Sequence, residues 1–149
     1  MELNPLTALS PIDGRYARQT DALRDIFSEC AFMNARVRVE VEWLISLSEA
    51  GFAELPHLSD HGKAFLRGLA DNFSLADCEA IKEIEKTTNH DVKAVEYWIK
   101  NQVAHDEELK SASEFVHFSC TSEDINNTSH AIMLKRGREA LADYLQQIH

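Results

Sequence analysis

From about Thr20 to Ala50, Leu23, Ile26, Phe27, Met33, Val37, Val41, Leu44 and Leu47 recur mostly at steps of three and four residues. That recurrence lays one apolar stripe along a helix, whereas a pleated strand would need alternation at every second residue. Within the run, Arg36, Arg38, Glu40 and Glu42 alternate with Val37, Val39 and Val41, a local strand-like pattern that the longer helical period overrules. Gly51 stands where a helix C-cap belongs. The stretch predicts one long helix. With only five Gly and three Pro in 149 residues, two of the prolines (Pro5 and Pro11) near the start, little interrupts the pattern elsewhere.

Further helices follow by the same reasoning. Ser59 can cap a second helix carrying Phe65, Leu66 and Leu69, and Ser74 with Asp77 reads as a capping box for a third carrying Ile81 and Ile84. Val92, Val95, Ile99 and Val103 form one face of a fourth, capped by Asp91, with Trp98 beside that face and Glu96–Lys100 in the favourable order for an ion pair one turn apart. Residues 111–120, SASEFVHFSC, alternate like a strand but have no partner, so a short helix and a loop are expected. A last helix, capped by Thr121 or Ser122, carries Ile125, Ile132, Leu134, Leu141, Leu145 and Ile148, with Gly137 weakening it. Leu134, Leu141 and Ile148 are spaced as in a helical bundle, and a helix stopping at His149 with no cap is expected of a segment cut from something longer. Residues 1–18 read as an irregular arm with a turn at Asp13-Gly14.

Composition narrows the function. Asp and Glu outnumber Lys and Arg 25 to 15, and the formal charge of -10 disfavours non-specific binding to nucleic acid or anionic lipid. No stretch approaches the ~20 apolar residues of a membrane span, and MELNPLTALSPIDGRY has no signal-peptide pattern, so a cytoplasmic protein is expected. Cys30, Cys78 and Cys120 are widely spaced and lack a C-x-x-C pair, which reads as reduced thiols. There is no H-E-x-x-H pairing, no Gly-rich phosphate loop and no Ser or Cys in a nucleophile context, so neither a metal nor a nucleotide cofactor is expected.

Polar residues gather at three corners. Asp13-Gly14-Arg15-Tyr16 offers a guanidinium fork and a hydroxyl where Gly14 would let backbone approach a ligand, or else a surface arginine in a loose arm. Thr87-Thr88-Asn89-His90-Asp91 reads either as a plain cap, which explains Asp91 but not Asn89 and His90, or as an anion seat formed by a helix N-terminus and an imidazole. His117-Phe118-Ser119-Cys120-Thr121-Ser122-Glu123-Asp124 places hydroxyls beside free backbone N–H groups, a carboxylate seat or a plain cap. His117 fits a core histidine equally well, and Glu123 and Asp124 weigh against an anion unless they point away.

Taken together, SPIDGRY (10–16), KTTNHDVKAVEYW (86–98) and FVHFSCTSEDINNTSHA (115–131) resemble the adenylosuccinate lyases, above all the bacterial ones, within the fumarase/aspartase superfamily. Order and spacing are kept from about Leu6 to the end of the chain. The resemblance implies an all-α, L-aspartase/fumarase-like fold. Residues 1–110 would form a small helical N-terminal domain, and 111–149 a connector with the first part of a central-bundle helix. It implies β-elimination of fumarate from adenylosuccinate and from the succinylated imidazole ribotide SAICAR, in purine biosynthesis, with no cofactor and in a homotetramer. A base would remove the proton beside a carboxylate, an aci-carboxylate carbanion would form, and an acid would protonate the departing nitrogen. By the same resemblance Arg15 and Tyr16 match the phosphate-holding pair, Asn89, His90 and Asp91 the loop lining the nucleotide site, and Thr121 and Ser122 the pair gripping the succinyl carboxylate. His117 matches a nearby position with no assigned chemistry. The family's general-acid His and the catalytic Ser of its S-S-x-M-P-x-K-x-N signature have no counterpart in these residues, so no catalytic residue is expected in this chain. An argininosuccinate-type lyase fits the Arg15-Tyr16 pair less well, and a non-catalytic helical module would make the three corners coincidental.

Overall fold

The computed structural model describes residues 4–55, 57–146 and 148. Residues 4–20 run as successive turns, and residues 1–3 of the expected arm lie outside the described residues. Gly14 is buried there, and a Cβ on it would meet the Pro5 carbonyl at 2.6 Å and the Ser10 carbonyl at 3.3 Å. The close approach that Gly14 permits is therefore of the arm to itself, not to a ligand as the sequence suggested.

The predicted long helix is interrupted. A 3-10 turn (Asp21–Leu23) and a one-turn helix α1 (Arg24–Phe27) precede α2 (Glu29–Glu49). Ser28 causes the break: its backbone is extended (φ -68°, ψ 163°), and its hydroxyl accepts the Ala31 N–H at 3.1 Å, taking one of the donors that a helix N-terminus leaves unpaired. At the other end Gly51 adopts φ 80°, as its place after the helix required.

Helix α3 (Asp60–Asp71) begins at Ser59, whose hydroxyl accepts the Gly62 N–H at 3.0 Å. Helix α4 (Leu75–Thr88) begins at Ser74, whose N–H and hydroxyl both donate to the Asp77 carboxylate. Helices α5 (Asp91–Val103), α6 (Glu107–Ala112) and α7 (Ser122–Gln146) complete the chain, with a 3-10 turn at Ser113–Phe115. No strand occurs among the described residues, so the alternation in 111–120 belongs to a short helix and a loop.

Helix α2 is the axis of the molecule and packs against α1, α3, α5 and α7, while α4 and α5 form an antiparallel pair beside it. Val37, Val41, Leu44, Leu66, Ile81, Val95, Ile99 and Leu109 are fully buried, and Phe73 meets Trp98 edge-on at 5.5 Å between ring centroids. Two charged residues, Arg36 and Glu40, share the buried stripe of α2. Gly137 in α7 is also buried: Phe27 of α1 lies where its Cβ would be, so the residue that weakened the helix reading is the place where α1 seats.

The reading of three reduced thiols is corrected for two of them. Cys30, in the first turn of α2, and Cys78, in the first turn of α4, form a disulfide with their Cα atoms 5.7 Å apart. The 48-residue separation hid the pair, because only the packing of α4 on α2 brings the two together. Cys120 is a free, half-buried thiol, and burial together with the charges of Glu40 and Asp124 raises its pKa. No described helix is long and apolar enough to cross a membrane, and no cluster of metal-ligating side chains occurs among the described residues.

Candidate functional site

The α4–α5 corner is two residues long. Asn89 ends α4 in the left-handed conformation (φ 49°), which a short amide side chain tolerates better than most. His90 then returns to extended backbone (φ -154°) and caps α5. The cap expected of Asp91 thus belongs to His90. Its Nδ1 accepts the Lys93 N–H at 3.1 Å, and the neutral imidazole therefore carries its proton on Nε2. That outward nitrogen lies 3.4 Å from the Ser122 hydroxyl, at the start of α7. Two helix N-termini and two donor-bearing side chains thereby face one another, an arrangement suited to an anion.

Asp91, freed of capping α5, accepts the Val92 N–H at 2.8 Å and binds the Arg36 guanidinium at 2.6 Å. Burial pulls its carboxyl upward, but the Val92 N–H and the Arg36 charge outweigh that and hold it below the usual carboxylate range. Arg36 also donates from Nε to Asn126 of α7 at 2.9 Å and lies over the Phe32 ring at 3.9 Å. Phe32 in turn stacks on His130 with centroids 4.5 Å apart. Phe32, Arg36, Glu85, Asn89, His90 and Asp91 border, with Glu29, an open cleft of about 510 Å³.

Thr121 directs both its N–H and its hydroxyl to the Asp124 carboxylate, at 2.7 and 2.8 Å. These two bonds hold Asp124 below its ordinary pKa. Asp124 therefore does not point away, and Ser122 is the member of the pair whose hydroxyl faces His90.

The preceding turn is held from α2. His117 (φ 65°) and Ser119 (φ 62°) both adopt left-handed backbone, and His117 Nδ1 sits 2.6 Å from Glu40 Oε1. The Trp43 indole N–H adds a 2.8 Å bond to the Phe118 carbonyl. Glu40 is buried and its Oε2 has no hydrogen-bond partner among the described residues. Burial raises the Glu40 pKa, an effect that the hydrogen bond to His117 only partly offsets. His117 is thus a half-buried, partnered histidine beside the candidate site.

The structure brings Asn89, His90, Asp91 and Ser122 together through Arg36 and the His90–Ser122 contact. It does not bring Arg15 and Tyr16 to them. Among the described residues, Arg15 lies exposed with its guanidinium 5.3 Å from the Tyr16 ring centroid, and Tyr16 uses its N–H on the Pro11 carbonyl at 2.8 Å. Sequence reading missed Arg36, Glu40 and Asn126. The signal was present for the first two, since both fall on the apolar stripe of α2 defined by Met33, Val37, Val41 and Leu44, and a charge on a buried stripe needs a partner.

Comparison with known proteins matches residues 14–149 to the lyase family. Adenylosuccinate lyase of Vibrio cholerae is 56% identical over 142 residues, 95% of this chain and 31% of that protein. Adenylosuccinate lyase of Haemophilus influenzae is 56% identical over 140 residues, 93% of this chain and 31% of that protein. Adenylosuccinate lyase of Escherichia coli K12 is 51% identical over 150 aligned positions, 99% of this chain and 33% of that protein. The chain spans about a third of the length of the curated relatives it matches. By the extent of the family match and the helical architecture, the chain belongs to the lyase family.

Proposed function

We propose that this chain is the substrate-binding N-terminal portion of an adenylosuccinate lyase. That enzyme would eliminate fumarate from adenylosuccinate to give AMP, and from SAICAR to give AICAR, in purine biosynthesis. The observation that carries the reading is the meeting of His90 and Ser122 at 3.4 Å across two helix N-termini, in a chain 56% identical to an adenylosuccinate lyase. Asn89, His90 and Asp91 would line the nucleotide site. Ser122 would face the succinyl carboxylate, where the carbanion's charge accumulates, and Thr121 would join it once its N–H and hydroxyl leave the Asp124 carboxylate that holds them here. A donor held to meet that charge as it develops would stabilise the transition state more than the ground state. Arg15 and Tyr16 would hold the phosphate, brought to the site by another copy of the chain in a cytoplasmic homotetramer. Residues 1–110 would then act as the substrate-facing domain and 111–149 as connector and bundle helix.

The reading is tested with the lyase that carries this segment, by following conversion of adenylosuccinate to AMP and fumarate. Arg15→Ala, His90→Ala and Ser122→Ala are each expected to lower kcat/KM by an order of magnitude or more, roughly what loss of one oriented donor costs. Turnover that survives all three changes would favour a non-catalytic helical module. The 149-residue chain by itself is expected to release no fumarate, because it holds no counterpart of the acid or the base. Measurable release from the purified chain would overturn that expectation.

A further inference from the structure

Arg36 is a cation in a place where cations are rarely kept. Its side chain is only 6% exposed, on the stripe of α2 that otherwise holds Met33, Val37 and Val41. Burying an unpaired guanidinium would be strongly unfavourable, so its partners define its role. One partner is Asp91, the first residue of α5, at 2.6 Å. The other is Asn126, in the second turn of α7, at 2.9 Å. The flat face of the guanidinium lies 3.9 Å over Phe32, which is itself stacked on His130 of α7. One planar group thus ties the N-terminal turns of α5 and α7 to the same point on α2. His90 caps α5 and Ser122 opens α7, and these residues meet just ahead of the points that Arg36 holds.

We propose that Arg36 is a positioning residue for the site described above, acting through Asp91 on His90 and through Asn126 on Ser122. This rests on the function proposed for that site. Asp91 changes role accordingly. One of its oxygens accepts the Val92 N–H and the other the guanidinium, so its carboxylate holds the corner while still bordering the cleft. A lysine cannot replace Arg36, because a single ammonium lacks the rigid fork that reaches a carboxylate and an amide on two helices while lying flat on a ring. Loss of the fork lets the two turns shift independently, and a small misplacement of oriented groups costs far more in rate than in stability.

Two variants and two readouts test the proposal. In the lyase that carries this segment, Arg36→Lys is expected to keep the helical circular dichroism of the wild type at assay temperature and to lower kcat/KM on the order of tenfold or more. Asn126→Ala should move kcat/KM in the same direction by a smaller factor. In the chain described here, the His90 ring nitrogens should give the separated 15N shifts of a single Nε2–H tautomer. Those shifts should move together in Arg36→Lys while the Trp43 indole N–H signal stays in place. Wild-type kcat/KM in both variants, or an unchanged His90 spectrum, would overturn the proposal. If the wild-type lyase does not turn over adenylosuccinate, the function proposed above falls. The His90 spectra of the variants then decide the role of Arg36 alone, a shift supporting it and no change overturning it.

Discussion

Glu40 is an acid placed where its charge is disfavoured, and its pH behaviour follows from that. Burial raises its folded pKa above the unfolded value, with the nearby Glu96 carboxylate adding to the rise and the hydrogen bond and charge of His117 opposing it. For an acid of raised pKa the fold prefers the protonated form. The stability that Glu40 contributes is therefore full below its unfolded pKa and declines as pH climbs through the folded one. Glu40→Gln keeps a polar partner for His117 Nδ1 but does not titrate. The melting temperature of the variant, relative to wild type, is expected to rise with pH from the ordinary carboxylate range toward neutrality. A difference independent of pH would contradict this assignment. His90 allows a second separation at the same scale. Its Nδ1 caps α5 while its Nε2 faces Ser122. His90→Asn keeps a capping side chain and removes the outward nitrogen, whereas His90→Ala removes both. Thermal unfolding should find the Ala variant less stable than the Asn variant by about 1 kcal/mol. Both should lose substrate affinity in the lyase.

At the scale of elements, the boundaries were legible wherever a local group sets them. Ser59, Ser74 and Gly51 act within a few residues, and each stands at the terminus its side chain or backbone freedom implies. Ser28 acts equally locally, yet it went unread because the apolar stripe continues across it and period outweighed cap. The disulfide is the opposite case. Cys30 and Cys78 join the first turns of α2 and α4, and nothing within a few residues of either announces the other. Closing a loop across 48 residues restricts the unfolded chain, and removing the link is expected to cost about 2–4 kcal/mol. Cys30→Ser, or reduction of the wild-type chain with dithiothreitol, should lower the unfolding midpoint in urea accordingly. A midpoint that does not respond to reductant would mean that α4 is held on α2 by packing alone.

The whole molecule combines a net charge of -10 with an apolar face left open along its last helix. Leu134, Leu141 and Leu145 are each more than half exposed, as is Ile148 beyond the helix, which agrees with the bundle-like spacing read from the sequence. Contiguous exposed apolar surface of this kind marks an interface. The chain is accordingly expected to self-associate as its concentration rises. Replacing Leu134 and Leu141 by Glu should lower the weight-average mass in sedimentation without changing the circular dichroism of the helices. Equal masses for the two proteins would remove α7 as the contact surface. The same scale explains why Arg15 and Tyr16 lie apart from His90 and Ser122 in a single chain. The arm stays near α1, while the other residues meet at the start of α7.

The amino-acid sequence by itself determined the helical class and most helix ends, because period and capping act over a few neighbouring residues. Tertiary structure alone decided that His90 rather than Asp91 caps α5, that Asp91 turns to Arg36, and that Cys30 meets Cys78. The last two depend on what a distant helix places opposite the residue, and the His90 cap, itself local, goes with the diversion of Asp91 to Arg36. A buried charge or thiol takes whichever partner packing delivers, and packing is a property of the assembled helices, not of any one segment.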